Sequence, residues 1–147
     1  MVLADIDPDT GKVELPRYAV AHDCGTVINP EVARGMLFGG TAHGIGVALY
    51  EQFAVNADGQ PLTQSFMDYL LPSAHEVPQI VDAEHCTPSP FTSFGQKGVG
   101  ESGYMGAPAA VASAVNDALA GAGAPPLHSL PIKPSDIWAA LRAQEKP

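Results

Sequence analysis

Gly95-Gln96-Lys97-Gly98-Val99-Gly100-Glu101-Ser102-Gly103 holds four glycines and one carboxylate in nine residues. Such a run turns sharply and lets another group come close to its backbone, because no Cβ stands in the way. A carboxylate on a tight loop suits general-base chemistry, since partial desolvation raises its pKa towards neutrality and lets it take a proton from a reacting group. On residue type alone, a Gly-flanked glutamate such as Glu101 is usually just a loop residue.

Other chemistries fit less well. A phosphate-binding P-loop needs Gly-Lys followed directly by Ser or Thr, whereas Lys97 is followed by Gly98. Gly39-Gly40-Thr41-Ala42-His43-Gly44 does not have the G-x-G-x-x-G spacing of a dinucleotide site, and no strand leads into it. The five histidines, His22, His43, His75, His85 and His128, are spread along the chain with no His-x-x-x-His or Cys-x-x-Cys pair, so no metal site is expected.

The elements that must carry these residues can be read in order. Residues 2–7 and 12–21 form a β-hairpin around the turn Pro8-Asp9-Thr10-Gly11. His22-Asp23-Cys24-Gly25 closes the second strand. Asn29 caps a helix with Pro30 at its first position, and the pattern runs to about Phe53. That helix contains Gly35, Gly39, Gly40, Gly44 and Gly46. They cost roughly 4–5 kcal/mol against alanine. Either something approaches the helix closely, or a Gly-rich turn breaks it in two. Asn56-Ala57-Asp58-Gly59 is a hairpin turn. Ile80–His85 reads as a strand, and Pro88 and Pro90 keep the next segment extended. Pro108–Ala120 is a helix with Val111, Val115 and Leu119 on one side. A last helix, started by Pro134 or Ser135, runs from Asp136 to Gln144. The class is α+β, with β-hairpins, short mixed strands and about three helices in a single domain over residues 1–147.

Composition narrows the partners. The chain of 147 residues has a net charge of −9 and only seven Lys and Arg, which argues against nucleic acid or an anionic membrane surface. Charged residues make up 16%, below the usual figure of about 25%. A surface so poor in charge is expected to be covered in part by other protein. No apolar run is long enough for a membrane span, and no leader pattern opens the chain, so a cytoplasmic location is expected. Cys24 and Cys86 are expected to be reduced thiols.

Five segments in order resemble the molybdenum hydroxylases, the family of xanthine dehydrogenase, aldehyde oxidoreductase and aerobic carbon monoxide dehydrogenase. They are residues 22–30, HDCGTVINP; residues 39–51, GGTAHGIGVALYE; residues 65–72, SFMDYLLP; residues 87–90, TPSP; and residues 97–101, KGVGE. The resemblance covers nearly the whole chain. It identifies the chain with the C-terminal, molybdopterin-binding part of the family's large subunit.

The resemblance implies a molybdenum-pyranopterin cofactor, in bacterial members usually the cytosine dinucleotide form. It implies that Glu101 removes the proton from a molybdenum-bound hydroxyl, whose oxygen then attacks an electron-poor carbon while hydride passes to a sulfido ligand. It places Met36, Gly39 and Gly40 on the helix, and Lys97, Gly98, Val99 and Gly100 on the loop, beside the cofactor. Many members carry glutamine at the position of Met36, and a thioether cannot donate or accept as an amide does. Family large subunits are several times longer. The chain is therefore expected to be a split subunit or a fragment that works only when assembled. Implied partners are the remaining molybdenum-binding segment, an iron–sulfur subunit and an FAD subunit. The substrate class spans aldehydes, purines, N-heterocycles and carbon monoxide. The competing expectation is a non-catalytic assembly module or relic of the same fold that binds no cofactor.

Overall fold

A computed structural model of the chain describes residues 1–143. Gln144, the expected end of the last helix, lies outside the described residues. Strand β1 (Val2–Ile6) pairs antiparallel with β2 (Val13–His22), with Val2 opposite Tyr18 and Ile6 opposite Val13. Asp7 shapes the turn between them. Its carboxylate accepts from the Asp9 amide at 2.9 Å and from the Thr10 hydroxyl at 2.6 Å. Gly11 then takes a φ of +72°, which its missing Cβ permits. This is the hairpin expected from the sequence.

Helix α1 (Pro30–Leu49) follows, and the Asn29 side chain accepts from the Val32 amide at 3.1 Å to cap it. The helix is continuous through all five glycines and stops four residues short of Phe53. The amides of Tyr50 and Glu51 both return to the Gly46 carbonyl at 2.8 Å, which ends the ladder. An irregular excursion then carries the expected turn at residues 56–59. The Asn56 side chain accepts there from the amides of Asp58 at 3.0 Å and Gln60 at 2.9 Å. The Tyr69 hydroxyl pins the excursion to the end of α1 by donating to Glu51 at 2.6 Å.

Strand β3 (Ile80–Glu84) joins the sheet parallel to β2, with Tyr18 opposite Ile80 and His22 opposite Glu84. The sheet order is β1-β2-β3. A single turn, α2 (Ser102–Met105), follows Glu101, and the sequence reading had no element there. Helices α3 (Ala107–Gly121) and α4 (Pro134–Arg142) complete the chain. The fold is α+β, with three longer helices and a small mixed sheet.

The core forms where α1, α3 and α4 meet the inner face of the sheet. Leu15 and Tyr18 of β2 pack with Ile45, Ala48 and Leu49 of α1 and with Val111, Val115 and Leu119 of α3. Ile132 and Ile137 close the end nearest α4. The α3 residues recur every fourth position, so one face of that helix is buried along its length. Burying a side chain of this size stabilises by about 1.5–3 kcal/mol relative to leaving it exposed. That packing gives a firm base for the Gly-rich loop.

Candidate active site

The glycines of α1 are explained by what lies against them. A Cβ on Gly40 would come within 2.9 Å of the Tyr104 amide nitrogen and 3.2 Å of Gly103. A Cβ on Gly44 would overlap Ala107. The reverse holds at Gly103, whose missing Cβ lets α2 sit directly on the Leu37 carbonyl. Thr41, fully buried between them, donates its hydroxyl to Leu37 O at 2.9 Å and lies 3.4 Å from Gly103 O. Close approach, one of the two alternatives raised by the sequence, is therefore what the helix shows. At Gly40 and Gly44 the approaching groups are the chain's own α2 and α3. Gly39, by contrast, has nothing within 4 Å of its open side.

This packing fixes Glu101 from its C-terminal side. The Glu101 carbonyl accepts from the amides of Tyr104 at 3.1 Å and Met105 at 3.0 Å, so the residue sits at the head of α2. Its side chain is exposed and makes no hydrogen bond or ion pair among the described residues. On α1, His43 stacks on Tyr104 with ring centroids 4.5 Å apart. Met36 is 42% exposed on the same helix.

The other end of the loop is anchored to the exit of β2. Gly25 and Gln96 form an antiparallel bridge, and the Lys97 amide donates to Cys24 O at 2.8 Å. The Gly95 carbonyl accepts from the amides of Thr26 at 3.2 Å and Ser89 at 2.9 Å. Gly25 and Gly95 both have positive φ and meet back to back, and a Cβ on Gly25 would overlap the Gly95 carbonyl. Between the two anchors, the amides of Gly98, Val99, Gly100 and Glu101 donate to no acceptor among the described residues. Gly98 and Gly100 have nothing within 4 Å of a would-be Cβ. The Ser102 hydroxyl is buried with no partner among the described residues.

Lys97, expected at the cofactor, forms an ion pair within the chain. Its ammonium lies 2.8 Å from Asp23 Oδ2. Asp23 Oδ1 accepts from the amides of Gly25 at 2.8 Å and Thr87 at 3.1 Å. Sequence reasoning singled out no role for Asp23. The only local signal was an Asp two residues before a Gly, the pattern of an Asx turn. The Lys97 ammonium, and after it the two amides, hold the Asp23 carboxyl well below the usual carboxylate range. A depressed carboxyl adds stability that is complete above its ordinary value of 3.8 and is lost as pH falls through the folded value. Asp7, Glu14 and Glu76 are lowered too, chiefly by the Thr10 hydroxyl, the Lys12 ammonium and the Ser73 hydroxyl. Denaturant midpoints should therefore fall as pH drops below about 4. Asp23→Asn should flatten that dependence, and a midpoint indifferent to acid would contradict the assignment.

A cleft of about 220 Å³ runs beside the loop, lined in part by Cys24, Ile28, Val32, Lys97 and Val99. Among the described residues, the site thus combines an unpaired carboxylate, four unpaired amides, two open glycines and an orphaned buried hydroxyl. That donor set fits a large anionic cofactor whose oxygens need hydrogen bonds and whose bulk needs bare backbone.

Residues 1–78 match the family model of the molybdopterin cofactor-binding domain. The chain belongs to the molybdenum hydroxylase family, in the cofactor-binding part of the large subunit. It is 43% identical to the 6-hydroxypseudooxynicotine dehydrogenase complex subunit gamma of Paenarthrobacter nicotinovorans, over 99% of this chain and 18% of that protein. It is 37% identical to the carbon monoxide dehydrogenase large chain of Afipia carboxidovorans, over 98% of this chain and 17% of that one. The crystal structure of quinoline 2-oxidoreductase from Pseudomonas putida 86 superposes with a TM-score of 0.91 at 40% identity, covering 98% of this chain and 18% of that chain. The chain spans less than a fifth of the length of these relatives.

Proposed function

We propose that the chain supplies the catalytic base, and part of the cofactor cradle, of a cytoplasmic molybdenum-dependent hydroxylase. The observation that carries this reading is Glu101, unpaired and exposed at the head of α2, on a loop whose own amides are unspent. When bound, the pyranopterin-held molybdenum, in its cytosine dinucleotide form, supplies Lewis-acid activation and a two-electron sink. The chain's residues do the rest. The amides of Gly98, Val99 and Gly100 would hold the cofactor by donating to its oxygens, and the open side of Gly39 and the exposed Met36 would give it room on α1. Glu101 takes the proton from the water-derived oxygen nucleophile at its carboxylate, and a base in this position must lose part of its hydration to be effective. Lys97 and Asp23 neutralise each other at the root of the loop.

The substrate is an aldehyde, an N-heterocycle or a similar small molecule with an electron-poor carbon. The similarity to quinoline 2-oxidoreductase supports an N-heterocycle. Iron–sulfur and FAD subunits would carry the electrons away, and the remaining molybdenum-binding segment would complete the cradle. Metal and pterin analysis of the native assembly tests the reading. Stoichiometric molybdenum with a pterin nucleotide, alongside iron–sulfur-bearing partners, is expected. A native assembly without molybdenum would overturn the catalytic reading in favour of a non-catalytic module.

A further inference from the structure

We propose that Asp23 is the positioning residue of the Glu101 loop, its carboxylate locking the Lys97 end of that loop to two other segments. The inference rests on Glu101 being the base. Asp23 follows directly on β2, and its two oxygens bind three places at once. Oδ1 holds the amide of Gly25, at the exit of β2, and that of Thr87, where the proline-containing segment begins. Oδ2 holds the Lys97 ammonium. Lys97 is thereby fixed by its side chain and, through the bond from its amide to Cys24 O, by its backbone. From Gly98 to Glu101 no backbone amide finds an acceptor among the described residues, and the bonds its carbonyls accept, Val99 O from the Ser102 amide at 3.1 Å and Glu101 O from Tyr104 and Met105, all come from α2. Its position is set by its two ends. One end is α2, seated on α1 through Gly103 and Gly40. The other is Lys97 on Asp23. Hydrogen bonds to a charged group are stronger and more directional than neutral ones, which suits a hinge point that must not drift. The pair is partly exposed, so its effect falls on local geometry more than on global stability.

The test is hydrogen exchange, read by mass spectrometry on the assembled holoprotein, with steady-state kinetics on the same samples. Asp23→Asn keeps an oxygen for the amides of Gly25 and Thr87 and removes only the charge that holds Lys97. Lys97→Met removes the other partner, and Lys97→Arg restores a cation. Exchange at Lys97 and at Ser102 to Met105 is expected to quicken about tenfold in Asp23→Asn and Lys97→Met, and to return towards wild type in Lys97→Arg. kcat should fall about tenfold in the first two with KM and molybdenum content unchanged, and the double variant should be no worse than either single. Unchanged exchange at Lys97 and at Ser102 to Met105, faster exchange spread over α3 and α4, or a loss confined to KM would each overturn the proposal. Should Asp23→Asn fail to assemble, Lys97→Met decides the matter alone. Glu101→Gln is run alongside. Wild-type turnover there would remove the base reading, while the exchange data would still decide whether Asp23 holds the loop.

Discussion

Glu101→Gln is expected to lower kcat by about 10²- to 10⁴-fold, with molybdenum and pterin content at the native level. Glutamine keeps the length and shape of glutamate and cannot take up a proton at neutral pH. The side chain is exposed and forms no bond within the described chain, so its replacement leaves the loop and α2 as they are. The loss should therefore lie in the chemical step alone. The measurement is kcat per molybdenum, with both quantities taken on the same preparation. Turnover within a few-fold of wild type would assign the proton to another group. A parallel loss of molybdenum would make Glu101 a cofactor-holding residue instead of a base.

Gly103→Ala is expected to lower the stability of the chain by about 1–3 kcal/mol. The new Cβ would be driven into the Leu37 carbonyl and within 3.0 Å of the Thr41 amide nitrogen. Both are backbone atoms of α1, so neither can rotate away as a flexible side chain would. The strain must be relieved by lifting α2, which breaks the seat of Thr41 against Gly103 O and displaces the head of the turn where Glu101 sits. Urea unfolding of the assembled protein should show the lower midpoint, and turnover should fall with it. Gly35→Ala is the internal control. It lies in the same helix with nothing within 4 Å, so the change should gain up to about 1 kcal/mol of helix propensity. Equal effects at the two positions would mean that α2 does not pack on α1 as described.

The contrast between these glycines shows how far the sequence could be read. The hairpin, the Asn29-Pro30 start of α1, β3 and the bodies of α3 and α4 follow from local rules of turn, cap and periodicity, and all are present. The glycine cluster in α1 announced that something comes near, because five such residues in a helix have an energetic cost that needs a cause. It could not say what. The partner of Gly40 is Gly103, and their meeting is a tertiary fact that no window of sequence contains. For the same reason α2 had no signal, since four residues held by their seat on another helix need no propensity of their own. The Gly-rich loop and its carboxylate were legible at the candidate site. The partner of Lys97 was not. A lysine in a Gly-rich loop reads as a ligand-facing charge until the carboxylate that captures it comes in from beyond the end of β2, far away along the chain. Asp23 was hidden likewise, because two of its three partners come from distant segments.

The parallel pairing of β2 with β3 has a consequence for how the chain reaches this state. β1 can join β2 as soon as both exist, through a short turn. The other edge of β2 waits for Ile80, with all of α1 and the irregular excursion lying between. The contacts that close the candidate site span similar distances, 64 residues from Asp23 to Thr87 and 62 from Thr41 to Gly103. Joining ends so far apart is entropically costly and slow, so the hairpin and helices are expected to form first and the loop bearing Glu101 to close late. On the ribosome, the Tyr18–His22 edge would stand bare until β3 emerges. That interval is when the nascent chain is most exposed to pairing with a wrong strand.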